Sequence, residues 1–278
     1  MKRLLTIELQ KLWLNRASRI LIISYFVILS FMTLMSLIEF TIFGHKIRLA
    51  EQGIFNFPFI WHINTYVAVH LKLFLAIVIV SMMANEYTYG TLKQNLIDGL
   101  SKKEFITSKF LTVLTFAASS TLFVFIMTLI LGLKYSSFTE WSIVFTDLDY
   151  IIAYFINLVA FFSFCLFAGV LIKRSAFALG FIILWFIVEN IAYGMLNWMI
   201  FKDEVITKQI VSFFPLESIS NLLIEPWDRF KAVKAINSLS GNVVDKDYGV
   251  HWYSILIVVA WTSIFITASY RILKKRDL

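Results

Sequence analysis

The sequence predicts an all-α polytopic membrane protein with six transmembrane helices. Two observations lead to this fold class. Of the 278 residues, 59% are hydrophobic and 15% are charged, whereas a soluble domain carries about 25% charged residues. Six long segments lack charge or carry one internal ionisable cluster, and each reaches the roughly 18–20 residues that cross the hydrocarbon core of a bilayer. The predicted spans, which form a single transmembrane domain over 1–278, are 19–43, 64–84, 108–133, 150–172, 175–201 and 252–270.

The second and fifth spans reach this length only if they include ionisable groups. The second contains His70 and Lys72, and the fifth contains Glu189. The first apolar run is too long for a cleaved signal peptide, and no small-x-small cleavage pattern follows it. The single cysteine, Cys165, excludes a disulfide framework. The four histidines are spread widely along the chain, so we expect no metal centre.

The distribution of Lys and Arg predicts the orientation. With an even number of spans, both termini lie on one side, together with 85–109 and 173–174. That side carries 15 of the 25 basic residues and 5 of the 18 acidic residues. The positive-inside rule then predicts a multi-pass protein of the cell membrane with both termini on the cytoplasmic side. Topology alone accounts for the net charge of +7, so no nucleic-acid partner is needed.

Two segments outside the spans have distinct patterns. Residues 1–19 mix charge with Leu5, Leu9, Leu12 and Trp13 at helical spacing. This pattern favours an amphipathic helix in the membrane interface over a plain cytoplasmic start to the first span. The excursion 202–250 contains two stretches typical of short helices, within 212–227 and 228–241. It either re-enters the membrane edge or caps the spans, and the sequence leaves both alternatives open.

The sequence lacks the motifs of the common catalytic sites. It has no G-x-x-x-x-G-K-[ST] phosphate loop, no H-E-x-x-H and no G-x-S-x-G. We therefore expect no enzyme activity and no bound cofactor on this chain.

A polar insert, 85–110, interrupts the apolar chain between the second and third spans. It contains the helix-forming run LKQNLIDGL between Gly90 and Gly99, whose flexibility permits turns at both ends. The apolar side chains of this insert recur at helical spacing. Taken alone, the pattern equally predicts a docking element for another protein and a helix that lies flat on lipid.

Between spans two and three, the insert contains an acidic residue, a Gly-Thr pair, a Ser followed by a basic residue, and then a Lys: Glu86, Gly90, Thr91, Ser101, Lys102 and Lys109. With this motif the insert resembles the corresponding segment of ABC-2-type permeases, the membrane subunits of bacterial ABC exporters. The amphipathic N-terminal helix and the large excursion between spans five and six also fit this family. One difference is Lys102, since many members carry Arg at this position. The difference matters because Lys and Arg are not equivalent as hydrogen-bond donors.

The resemblance implies a permease that pairs with a second copy or a paralogue and with separate ATPase subunits that bind ATP and Mg. The insert then becomes a cytoplasmic coupling helix that contacts the ATPase. The residues to which this coupling role is assigned are Glu86, Gly90, Thr91, Leu92, Lys93, Leu96, Ile97, Ser101, Lys102 and Lys109. The alternatives are a permease-like scaffold or sensor associated with an ATPase, and a membrane-embedded enzyme.

Lys72 and Glu189 are predicted deep in the membrane, where a charge costs roughly 2.5–3.5 kcal/mol. Both lie about 18–21 Å from the inner ends of their spans at about 1.5 Å per residue. Similar depth and opposite charge predict an ion pair, or two groups that face one translocation path with Asn190. The competing interpretation is that Lys72 snorkels outward, while Glu189 is protonated or bonded to Asn190 or Asn157.

Overall fold

In the computed structural model, the chain forms a bundle of long helices. The structure describes residues 2–35, 39–42, 45–48, 53–230, 233 and 246–276. The long helices are α2 (Arg16–Met35), α3 (Phe59–His70), α4 (Lys72–Thr88), α6 (Lys102–Tyr135), α8 (Asp149–Ile172), α9 (Ser175–Met195) and α12 (Trp252–Lys275). The shorter ones are α1 (Lys2–Leu14), α5 (Thr91–Ile97), α7 (Trp141–Val144), α10 (Glu204–Val211) and α11 (Pro215–Ser220).

Within these described residues, four helical segments are each long and apolar enough to cross a membrane. They are Lys102–Tyr135, Trp141–Ile172, Ser175–Phe201 and Trp252–Lys275. Two further candidates are bent pairs: α1 meets α2 at 91°, and α3 meets α4 at 43°. The number of candidate spans is therefore four, or up to six if each bent pair is one span.

Helices cover all or most of each predicted span, but a bend at Leu71 divides the second between α3 and α4, and several ends differ. The first span was predicted to reach residue 43, but α2 ends at Met35, and a two-stranded antiparallel ribbon follows, β1 (Glu39–Ile42) with β2 (His45–Arg48). Two short β-prone runs separated by two residues, one of them Gly44, are the sequence signal for such a hairpin. The third span begins earlier than predicted because Ser101 and Glu104 form a capping box. Beyond α9 the helix continues as a π-helical turn, Leu196–Phe201.

The helix α8 occupies the centre of the bundle. It packs against α3, α4, α6, α9 and α12 and is buried along most of its length. Gly169 permits its close approach to α4, because a Cβ atom at this glycine would lie 2.9 Å from Cβ of Met83. Three hydroxyl groups add a buried polar contact between helices. Tyr25 and Ser120 hydrogen-bond each other, and each also bonds the hydroxyl of Tyr154, at 3.0 and 2.8 Å.

The excursion after α9 folds back onto the bundle. It contains α10, α11 and a 3-10 turn, Trp227–Arg229. Arg229 Nη1 donates to His62 Nδ1 at 3.0 Å, so the other ring nitrogen, Nε2, carries the hydrogen and donates to the carbonyl of Ile224 at 2.7 Å. The Arg229 guanidinium also lies 4.6 Å from the centre of the Phe59 ring. These contacts fix the segment against α3. The second predicted short helix, within 228–241, falls largely outside the described residues.

Candidate functional site

The helix α5 lies at one end of the bundle, between the end of α4 and the start of α6. We call this the junction end. Both flanking glycines have positive φ angles, 67° at Gly90 and 96° at Gly99, which glycine adopts without steric cost. The predicted helix between two glycine turns is therefore confirmed, with the limits Thr91–Ile97. No neighbouring atom lies within 4 Å of a Cβ built at Gly90, so the chain turns here in open space.

A cluster of four charged groups, three of them buried, lies beneath α5. Lys109 has no exposed surface, and its Nζ donates to Glu86 Oε1 and to Glu8 Oε2, both at 2.6 Å. Lys11 Nζ donates to the same Glu86 oxygen at 3.1 Å. We call Glu8, Lys11, Glu86 and Lys109 the charge cluster. Two carboxylates and two ammonium groups balance each other, which is how buried charges are tolerated.

The charge cluster joins three helices to α5. Its members come from α1, α4 and α6, and Thr91, the first residue of α5, donates from its Oγ1 to Glu86 Oε2 at 2.6 Å. Burial alone would lower the pKa of Lys11, but the charges of Glu8 and Glu86 raise it above its ordinary value. Glu86, Thr91 and Lys109, which the sequence singled out, thus meet in space.

Glu8 and Lys11 are members of the site that the sequence did not reveal. Glu8 stands between Leu5 and Leu12 at helical spacing, so it occupies the inward face of α1. An acidic residue in the middle of an apolar stripe was the available signal, because burial of a lone carboxylate requires a partner. Its partner lies 101 residues along the chain, and only the tertiary structure identifies it.

Ser101 and Lys102 belong to other contacts of the junction end. Ser101 is the N-cap of α6: its Oγ accepts from the backbone of Glu104 at 3.2 Å, and the Glu104 carboxylate accepts from the backbone of Ser101. Lys102 Nζ donates to the carbonyl of Arg276 at 2.8 Å. Arg276 in turn donates to the last carbonyls of α8, including Val170 at 2.6 Å. The start of α6 is therefore linked to the ends of α8 and α12.

The remaining predicted coupling residues divide into two sets. Leu92 is buried and Leu96 is partly buried, so these side chains hold α5 on the bundle and are not free to contact a partner. Lys93 is exposed, as are 69% of Ile97 and 71% of Tyr89. We call Tyr89, Lys93 and Ile97 the exposed α5 face. Lys93 and Ile97 are four residues apart and lie on one side of α5, and Tyr89 is exposed just before the turn at Gly90.

The predicted ion pair between Lys72 and Glu189 is wrong. Lys72 Nζ donates to Asn157 Oδ1 at 2.9 Å and lies 4.4 Å from the centre of the Phe161 ring. The Glu189 carboxylate accepts from the Trp185 indole at 2.7 Å and from the backbone of Leu216 at 3.1 Å. Equal depth in two helices could not reveal that other polar groups stand closer to each charge.

Glu189 contacts α11 directly, and Lys72 contacts it through Asn157. Glu189 accepts the backbone N–H groups of Leu216 and Glu217, which are free donors of the first turn of that helix. Asn157, whose amide oxygen is bound by Lys72, donates from its Nδ2 to the carbonyl of Ile219 at 2.5 Å. Asn190 lies apart from this network: it is exposed on α9, and its amide donates to the carbonyl of Phe186 at 2.8 Å.

Long apolar helices around a buried central helix define a multi-pass helical membrane protein. The family model described as ABC-2 family transporter protein matches residues 15–278. The chain therefore belongs to this family, as the residues of the polar insert predicted. It is a membrane permease component of an ABC transporter, and permeases of this family typically work with ABC ATPase partners. No curated protein matches the chain.

Proposed function

We propose that this chain is the permease subunit of an ATP-driven exporter and that a separate ATPase chain, which binds ATP and Mg, docks on the exposed α5 face. One observation carries this proposal. The exposed α5 face presents an amine and two large apolar side chains, while the other side of α5 is bound to the charge cluster through Thr91. A displacement of α5 by the ATPase would therefore reach α1, α4 and α6 through direct contacts.

We propose further that the junction end lies in the cytoplasm and that the protein resides in the cell inner membrane of a bacterium. The support is the charge distribution, because the segments at this end carry 15 of the 25 basic residues of the chain. An ATPase that uses cytoplasmic ATP must dock on that side.

The translocation path, in this proposal, forms between α9 and a second permease copy or a paralogue. The helix α9 is exposed along most of its length and carries Asn190 among apolar neighbours. A polar amide on such a surface favours contact with water or with another subunit over contact with lipid. Gly180 and Gly194 have open space where a side chain would project, which permits a close approach of another helix.

We also propose that the segment containing α11 re-enters the membrane. Glu189, Lys72 and Asn157 belong to predicted spans, and all three are part of the network that holds α11. Ile219, Leu222 and Leu223 are buried against the bundle. A short helix can lie at membrane depth when protein covers its backbone in this way. Lys72 and Glu189 then support the wall of the path by positioning α11.

A photocrosslinking experiment tests the docking face. The crosslinking amino acid p-benzoylphenylalanine replaces Ile97, and the matched control replaces Trp198, which is 79% exposed beyond the other end of α9. In membranes that contain the permease and its ATPase, we expect a crosslinked ATPase only from position 97. Capture only from position 198 would show that the ATPase docks at the opposite end.

Substrate-stimulated ATP hydrolysis separates this function from its alternatives. An exporter gives turnover that rises with substrate and vesicles that accumulate the substrate. A scaffold or sensor binds the ATPase without transport, and a membrane-embedded enzyme acts without the ATPase. Each result identifies one class.

A further inference from the structure

A continuous apolar groove follows the outer surface of the bundle where α1 meets α2. One part encloses about 700 Å³ and the next part about 340 Å³, and the two share Trp13 and Ile22. Its walls come from α1, α2 and α6 and include Leu9, Phe26, Phe116 and Phe123. Ligand pockets typically enclose about 300–1,000 Å³, so the groove is large enough for a small molecule or one hydrocarbon chain.

Two basic residues of α2 precede the first α2 residue that lines this groove, at the position that we call its head. Arg19 precedes the groove residues Ile22, Ile23 and Phe26 by three, four and seven residues, so it lies on the same face of α2. Arg16 lies one further turn toward the start of α2. Both residues are exposed, and neither guanidinium contacts an acidic group among the described residues.

The surroundings leave this head positively charged. Glu8 is the only acidic residue of α1, and it is turned into the bundle, where Lys109 and Lys11 neutralise it. Arg16 and Arg19 also occupy the first turn of α2, whose N-terminal dipole adds partial positive charge. An anionic group at the head of the groove would thus find two free guanidinium groups.

The distance from Arg19 to the far end of the α2 part of the groove matches one leaflet of a bilayer. Between Arg19 and Ser30, the last α2 residue that lines the groove, the helix rises about 16 Å at about 1.5 Å per residue. Half of the hydrocarbon core is about 15 Å. Trp13 is 53% exposed at the bend between α1 and α2, the position that amphipathic tryptophans take at the membrane interface.

We propose that this groove binds an anionic glycerophospholipid, with one acyl chain along α2 and the phosphate held by Arg16 and Arg19. The apolar walls alone would accept any lipid chain. The two arginines make the site selective for a negatively charged headgroup, because each basic group near the membrane surface strengthens anionic lipid binding about fivefold. A lipid in this position would fix the angle between α1, which carries half of the charge cluster, and the first span.

Native mass spectrometry of the full-length protein tests this proposal. Purified protein receives phosphatidylglycerol or phosphatidylcholine with identical acyl chains. We expect one tightly retained phosphatidylglycerol and a preference over phosphatidylcholine of roughly 25-fold. The double variant R16Q/R19Q should lose this preference. The matched control R271Q/K275Q removes two exposed positive charges from the end of α12 and should retain it.

A second pair of variants tests the groove itself. Val27→Trp places a large side chain in the groove at a residue that is 60% exposed, whereas the control Ile183→Trp does so on α9 at a residue 61% exposed. Only Val27→Trp should displace the retained lipid. Equal binding of both lipids, unchanged by R16Q/R19Q, would indicate annular lipid only and overturn the proposal. A disulfide between two copies of Ile23→Cys would show that a second copy covers the groove, with the same consequence.

Discussion

Lys109 Nζ lies 2.6 Å from Glu86 Oε1, and both side chains are buried, although the residues belong to different helices. The contact joins the chain on the two sides of α5, because Glu86 precedes this helix and Lys109 follows it. Glu8 and Lys11 extend the contact to α1. The segment predicted to contact an ATPase is thereby built on a buried ionic base.

Removal of Lys109 should strongly destabilise the protein. Lys109→Met leaves Glu8 and Glu86 buried without their shared donor, and loss of one member of a buried pair typically costs about 3–5 kcal/mol. The matched control is Lys11→Met, because the Lys11 side chain is 39% exposed and we expect a loss below about 1 kcal/mol. Thermal unfolding of the purified variants measures both effects. Equal losses would show that burial does not determine the energetics of the charge cluster.

Lys72 and Glu189 should show no mutual rescue. Lys72→Met and Glu189→Gln each remove a contact that supports α11, and hydrogen bonds to charged groups contribute about 1.5–3 kcal/mol. The double variant should be at least as impaired as either single variant in folded yield and transport. The comparison is the double variant of Lys72→Met and Asn157→Leu, which replaces both members of the observed contact. Its loss of folded yield and transport should be smaller than the sum of the two single losses. Recovery in the Lys72–Glu189 double variant would instead indicate an ion pair.

A larger residue at Gly169 should separate α8 from α4. We expect Gly169→Leu to lower the free energy of unfolding by about 1–3 kcal/mol, the usual range for overpacking a well-filled contact. Gly180→Leu is the control, since nothing lies within 4 Å of a Cβ at Gly180. For the monomeric chain, the unfolding temperature should fall for the first variant and change little for the second. Equal falls in the monomer would show that the close contact at Gly169 does not determine the loss, whereas a fall at Gly180 only in the assembled dimer would fit the proposed contact of α9 with a second copy.

Substitution of Gly90 should affect coupling through the backbone and not through crowding. An L-residue in this left-handed conformation costs about 1–2 kcal/mol, and a β-branched residue is less tolerant of it than Asn. We expect Gly90→Val to reduce transport per ATP hydrolysed, and Gly90→Asn to retain most of it. Unequal side-chain size cannot explain the difference, because the space around Gly90 is open. Similar transport in both variants would show that the positive φ angle is not required.

The sequence alone predicted the membrane fold class, most of the long helical segments and the turn-helix-turn of the polar insert. These features depend on local properties: apolar length sets a span, and glycine permits a left-handed turn. The bounds of the fourth and fifth spans agree closely with Asp149–Ile172 and with Ser175–Met195 plus its π-helical extension. The end of the first span was wrong because apolar content does not distinguish a helix from β1.

The partners of the charged residues were decided by the tertiary structure. A sequence gives the depth of Lys72 and Glu189 along their helices, but not the rotation of each helix or the position of a returning segment such as α11. Asn157 therefore took the place that Glu189 was predicted to occupy. The charge cluster is determined in the same way. Glu8 and Lys109 are 101 residues apart in the chain, and their contact depends on the packing of α1 against α6. Helix packing determines which charged groups meet, and no local sequence pattern predicts it.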